Sequence, residues 1–246
     1  MPTVPALYLL GGIAIEGVAE EDGNALLAQS KVVALLAVLM LSARGVFQRR
    51  DRVVGLLWPE LDQPHARTAL RKAIHFAREG LGEGFIVSRG DEELAIAPDA
   101  AWCDAVELRD AVVRGRLAHA VELYRGELMP GFHLTGCHDF DSWLADQRRE
   151  LHDTTVLACM RLAQLLESQA NSTEAANYAR KAARLAGDNE RVLRRSLVML
   201  GRLGDRAGAM RLYDEFVQRL RREYDAGPSP ETLALADALR SGRPLP

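Results

Sequence analysis

The 246-residue sequence predicts an α+β N-terminal domain followed by an all-α domain of helical repeats. Three observations predict it. Short apolar runs broken by turn residues occur in the first thirty residues and again over residues 85–97. Between those places, and beyond Pro98-Asp99, apolar residues recur at three- and four-residue steps, the period of an amphipathic helix. A 34-residue repeat near the C-terminus then relates two helical stretches, the length of a tetratricopeptide helix pair. The expected domains are residues 1–98 and 102–246.

LYLL, a Gly11-Gly12 turn and IAI read as a small hairpin, with a third strand expected at Leu26-Leu27. Ser30 sits where an N-cap belongs, and KVVALLAVLMLSARG reads as a buried helix stopping at Gly45. Its apolar run, Val32 to Leu41, would cover roughly 15 Å as a helix, about half a bilayer core, so it belongs inside a protein. RRDRVVGLLWPEL gives a second helix with Val53, Val54, Leu57 and Trp58 inward, ended by Pro59. Asp62 or Gln63 caps a third helix whose first turn holds Pro64, where a missing N–H costs nothing. That helix runs to the Gly80–Gly82 region. FIVS and ELAIA, separated by RGDE, form a closing hairpin. Strands, three helices and a hairpin in this order make a winged helix-turn-helix.

Composition excludes several classes. With 48% apolar, 26% charged and 6% aromatic residues the chain is neither disordered nor fibrous. Cys103, Cys137 and Cys159 lack paired spacing and suit a reducing cytoplasm without disulfides. The N-terminus has no secretion signal, so a cytoplasmic protein without a membrane partner is expected. Lys+Arg number 31 against 34 Asp+Glu, yet the charge is segregated. Residues 44–78 hold eight basic side chains (Arg44, Arg49, Arg50, Arg52, Arg67, Arg71, Lys72, Arg78) and three acidic ones (Asp51, Glu60, Asp62). Local fields of this kind steer polyanions whatever the total charge.

The third helix carries that charge on one face. Ala66, Ala69, Leu70, Ala73, Ile74, Ala77 and Leu81 form its apolar stripe, and Arg67, Arg71, His75 and Arg78 recur on another side. A helix fits the major groove of B-DNA, where Arg donates in pairs to guanine O6 and N7. Arg67, Thr68, Arg71 and His75 are the expected base-contacting residues. Lys72 and Arg78 are placed for flanking phosphates, as are Arg49, Arg50 and Arg52 at the start of the preceding helix. Arg89 is the remaining phosphate candidate, in a hairpin turn that is otherwise acidic. The bland reading of the same helix is a solvated face with weak local ion pairs. A scaffold that uses the helical-repeat groove without reading DNA is the alternative function.

In the all-α half, setting Ala175 over Ala209 puts Ala179 over Tyr213 and Ala182 over Phe216. LAHAVELYRGELMPGF reads as a divergent first repeat. His133, Cys137, His138, Asp139 and Asp141 form a loose cluster without the paired spacing of a zinc site, so no metal is expected there. Phe132, Phe140 and Trp143 read better as anchors of that loop. No nucleophile-elbow, Walker or dinucleotide motif occurs, so neither enzyme activity nor a cofactor is expected.

Three stretches together resemble the bacterial transcriptional activator domain family, which includes the SARP-type regulators. They are LYLLGGIAI, then DRVVGLLWPELDQPHARTALRKAIHFAREGLG, then LYRGELMPGF with FDSWLADQRREL. The likeness spans about residues 7 to 240 in the family's order. It implies an activator that binds direct promoter repeats and helps recruit RNA polymerase. The partners that follow are double-stranded DNA, RNA polymerase and a second copy of the chain as a homodimer. The tail SGRPLP would also suit the front part of a longer regulator.

Overall fold

A computed structural model describes residues 4–42 and 45–243. Ala43 and Arg44, the expected end of the first long helix, lie outside the described residues, as do the outermost residues of both expected domains. Strand β1 (Ala6–Tyr8) pairs antiparallel with β2 (Ala14–Glu16), Leu7 opposite Ile15, so the first hairpin forms as the sequence reads. The third strand expected at Leu26-Leu27 does not form. Helix α1 (Glu20–Leu27) takes its place, with Glu20, Glu21 and Asp22 in the first turn, where acidic groups meet the positive end of the helix dipole. Leu26 is buried against the third long helix at Gly80, where a Cβ would lie 2.8 Å from Leu26 Cδ1. A side chain at position 80 would force Leu26 to shift.

Helix α2 (Ser30–Met40) is buried from Val32 onward. Its N-cap is Gln29 rather than the expected Ser30, and no side chain caps it. Helices α3 (Arg50–Leu57) and α4 (Gln63–Leu81) pack on each other and on α2. The Lys31 ammonium donates to the Leu57 carbonyl at the negative end of α3 and lies 5.8 Å from the Trp58 ring. This holds the turn into α4.

Strand β3 (Gln48–Arg49) precedes α3; β4 (Ile86–Arg89) and β5 (Glu93–Ile96) form the expected hairpin, Arg89 opposite Glu93. The sheet order is β3-β5-β4. A second sheet, β2-β1-β6, is completed by β6 (Trp102–Cys103), parallel to β1. Strand character therefore continues past Pro98-Asp99, contrary to the sequence reading; two residues are too few to show an alternation. Asp104, the fully buried first residue of α5 (Asp104–Val113), explains why β6 ends there. Its carboxylate accepts from the backbone N–H groups of Leu9 (2.9 Å), Leu10 (3.0 Å) and Ala105 (2.8 Å). Burial pushes that carboxyl above the usual aspartate range. The N-terminal half is thus a winged helix-turn-helix.

Helices then follow in succession: α6 (Leu117–Leu123), α7 (His138–Ser168), α8 (Ser172–Leu185), α9 (Glu190–Arg202), α10 (Arg206–Tyr224) and α11 (Pro230–Ser241). The repeat is visible in the caps. Asn171 and Asp205, one repeat apart, each accept a backbone N–H at the start of α8 and α10. Ala175, Ala179 and Ala182 are buried, as are their counterparts Ala209, Tyr213 and Phe216. Helix α8 packs on α9, α9 on α10 and α10 on α11, around Leu193, Leu197, Leu200 and Leu212. The chain forms two compact units, one of residues 1–113 and 122–151, the other of 114–121 and 152–246. The first runs past the expected boundary at residues 98–102 and takes in β6 and α5. Among the described residues no single helix is long and apolar enough to cross a membrane.

Replacing Asp104 with Ala leaves three buried N–H donors without their acceptor. The expected loss in urea unfolding is about 2–4 kcal/mol, since each unsatisfied buried group costs about 1–3 kcal/mol before relaxation.

Candidate nucleic-acid interface

The sequence of α4 sets both its ends. Asp62 caps it by accepting from the His65 backbone N–H at 3.0 Å, Pro64 occupies the first turn, and Gly82, at φ +107°, ends it. Ala66, Leu70, Ala73, Ile74, Ala77 and Leu81 are buried, as the stripe predicts; Ala69 is half-buried. Since successive residues advance by about 100° around a helix, the direction opposite this stripe is occupied by Thr68, Lys72, His75 and Glu79. Arg71 lies between that row and the flank, seven residues and so about 20° from Arg78.

The structure divides the expected site residues into two groups. Thr68, Arg71, Lys72 and His75 are exposed. Thr68 Oγ1 donates to the Pro64 carbonyl at 2.9 Å and accepts from Arg71 Nη2 at 3.0 Å. His75 lies 3.4 Å from Glu79, with its side chain 70% exposed. Lys72 has no side-chain ion-pair or hydrogen-bond partner among the described residues; Arg49 is exposed, and its charge helps to lower the Asp51 carboxyl. Arg52, also exposed, donates to Gln48 Oε1 at 2.6 Å.

The other four do not stand free, contrary to expectation. Arg67 donates to Asp51 Oδ1 from Nη2 (2.8 Å) and Nε (3.2 Å) and reaches Glu92 Oε2 at 3.3 Å. Its side chain is 35% exposed, half the exposure of His75. Arg78 donates to the Ile86 carbonyl from Nη2 (2.6 Å) and Nε (3.1 Å). Eleven residues make about three turns, so Arg67 and Arg78 share one flank of α4, the flank turned to α3 and the hairpin. Arg50 is half-buried and donates to Ser88 Oγ at 2.9 Å; burial lowers its pKa from the ordinary arginine value. Arg89 pairs with Glu93 and lies over the Phe47 ring at 4.6 Å.

Charge follows the same division. The Arg67 hydrogen bond holds the Asp51 carboxyl below the usual aspartate range, and Asp51 in turn raises Arg67. Asp51 and Glu92 lie 16 and 25 residues from Arg67 in the chain. A count over residues 44–78 includes the first but misses the second. The hairpin thus brings carboxylates to a face that the local sequence shows as basic.

The loose cluster near residue 137 does not converge. Leu134 N–H donates to Asp141 at 3.1 Å, His133 Nδ1 lies 3.3 Å from the Gly131 carbonyl, and Cys137 is buried with Lys31 Nζ at 3.0 Å. Among the described residues no group of three or more His, Cys, Asp or Glu could hold a metal. Phe140 packs at 6.0 Å from Phe132 and 5.5 Å from Trp143, the aromatic anchor expected of this loop.

The chain is thus a two-part protein, a winged helix-turn-helix followed by helices that pack in successive pairs, and its helical part matches a known family. The bacterial transcriptional activator domain family matches residues 105–240, more than half of the chain, and the chain belongs to that family. Among solved structures, Mycobacterium tuberculosis EmbR in complex with a low affinity phosphopeptide is similar over 98% of this chain, with a TM-score of 0.63 and 17% sequence identity. At that identity the likeness is one of fold, and this chain spans 66% of the length of that one. No curated protein matches the sequence.

The cap of α4 gives a pH prediction. The His65 backbone N–H, then the His65 side chain, hold the Asp62 carboxyl below the ordinary value of 3.8. A depressed folded-state pKa stabilises the fold above the unfolded value and loses that contribution as pH falls through the folded one. Asp62→Ala is therefore expected to melt below the parent at pH 7. The gap in Tm should narrow as the pH drops below the ordinary aspartate value.

Proposed function

We propose that the chain reads double-stranded DNA by laying α4 in the major groove. Thr68, Arg71 and His75 face base edges, and Lys72, Arg49 and Arg52 hold flanking phosphates. The observation that carries this reading is the division of α4 itself. One side is buried against α2 and α3, and the opposite side is a solvent-exposed row of hydrogen-bonding and cationic groups whose one carboxylate, Glu79, lies 3.4 Å from His75. Groove readout requires such a helix, rigid on one side and polar on the other. Residues 1–98 act as the DNA-binding domain on this reading. Residues 102–246 serve for self-association or contact with RNA polymerase, so that binding to promoter repeats activates transcription.

A second reading has an observation of its own. Asp51, Glu92 and Glu93 compensate two of the arginines expected to grip DNA, and a winged helix with a neutralised face suits a protein-interaction scaffold that uses the helical repeats. Salt separates the two. DNA affinity should fall with salt at a log–log slope of about −0.9 per neutralised phosphate, whereas a scaffold gives no such slope.

Mobility shifts with a duplex selected by the chain from a randomised pool test the reading. Arg71→Ala is expected to cost about 1–3 kcal/mol and to relax preference at one base pair. Lys72→Ala should weaken all duplexes alike and flatten the salt slope. Parent-like binding by both variants would remove α4 from the interface.

A further inference from the structure

We infer that Arg67 is a positioning residue, not a base reader: it fastens α4 to α3 and to the hairpin turn, and thereby aims the row Thr68, Arg71, Lys72 and His75. The inference rests on the proposed DNA reading. It departs from what the spacing of Arg67, Arg71 and His75 suggests.

Three elements meet at this one guanidinium. Asp51, in the first turn of α3, accepts from it twice, and the same Asp51 oxygen accepts from Gln63 Nε2 at 3.4 Å, at the start of α4. Glu92, in the hairpin turn, takes the remaining contact, while its backbone carbonyl accepts from the Arg50 N–H at 2.8 Å. The turn is thereby tied to both helices. At the other end of the same flank Arg78 holds the Ile86 carbonyl, where β4 begins. The flank is braced at both ends, and the reading row lies between the braces.

Electrostatics keep Arg67 in this role. The carboxylates of Asp51 and Glu92 are about half exposed, so a phosphate approaching Arg67 meets two like charges first. Each bond alone is weak at such exposure. What the arginine supplies is direction, because its planar fork makes several bonds in fixed geometry, as a lysine ammonium does not. Reading a base with Arg67 would require breaking the contacts to both carboxylates.

The test uses the full chain and the duplex it selects from a randomised pool, together with all single-base-pair variants of that duplex. Arg67→Ala, Arg67→Lys and Asp51→Ala are each expected to weaken binding by about fivefold to tenfold, uniformly over the set, with no base-pair preference relaxed. The double variant R67A/D51A should bind no worse than either single one, the signature of residues acting as a unit. Glu92→Gln, on an exposed turn that leaves the helices intact, should lose a few-fold in the same uniform way. Melting curves run alongside, and only variants melting as two-state folded proteins are scored; Glu92→Gln decides the matter if the others fail that criterion. Relaxed preference at one base pair in Arg67→Lys or Arg67→Ala would make Arg67 a reader and overturn the inference. So would tighter binding by Asp51→Ala or Glu92→Gln, which would show carboxylates competing with DNA. Failure of the parent to enrich any duplex is a different result: it removes the DNA reading itself.

Discussion

The burial of one side of α4 fixes the direction of every other side chain on that helix. Ala66, Leu70, Ala73, Ile74, Ala77 and Leu81 leave it no rotational freedom, because turning the helix by one residue would expose some of them and bury charge. The alanines let the helix sit close to its neighbours, and Leu70, Ile74 and Leu81 fill the space between. Burying such aliphatic side chains contributes about 1.5–3 kcal/mol each relative to exposure. Exposed ion pairs, worth about 0–1 kcal/mol, cannot compete. Packing therefore decides which residues face outward, and the charged groups adjust to that decision.

Their adjustment explains the two fates of the basic residues. Lys72 falls in the outward direction, and Arg71, although nearer the flank, stays exposed against Thr68, so both remain available. Arg67 and Arg78 fall on the flank, where long side chains reach across to the hairpin and α3 and are held there. Asp51 and Glu92 cost the face some of its positive field and in exchange hold its parts together. In the helical half, burial again sets the pattern. Alanines on α8 occupy the places that Tyr213 and Phe216 fill on α10, so small and large residues share one repeat register.

Much of this was legible in the amino-acid order. Both hairpins, the α4 cap at Asp62, the buried stripe and the repeat depend on local patterns, and local patterns survive in sequence. Strands β3 and β6 did not show, because each has two residues and is defined by its partner. Leu26-Leu27 alone is compatible with a strand; the acidic turn Glu20, Glu21 and Asp22 before it makes the segment helix α1. For the interface, Thr68, Arg71, Lys72 and His75 were found as exposed residues. The flank position of Arg67 is not readable from spacing, because three- or four-residue steps group residues up to about 100° apart, too coarse to separate a helix's flank from its outward row. Nothing local to Arg67 announces Glu92, which arrives only when the hairpin folds back.

On the proposed function the row opposite the α4 stripe faces nucleic acid, with Lys72 at its centre. The chain has three lysines, Lys31, Lys72 and Lys181. Lys31 is held at the end of α3, and Lys181, an exposed residue on α8 whose ammonium donates to the Val121 carbonyl at 3.3 Å, serves as an internal reference. Brief acetylation followed by mass spectrometry, with and without saturating duplex, measures the claim directly. Lys72 should label readily in the free protein and be protected by the duplex while Lys181 labels unchanged. Equal labelling of Lys72 under conditions where the mobility shift shows full binding would contradict the account.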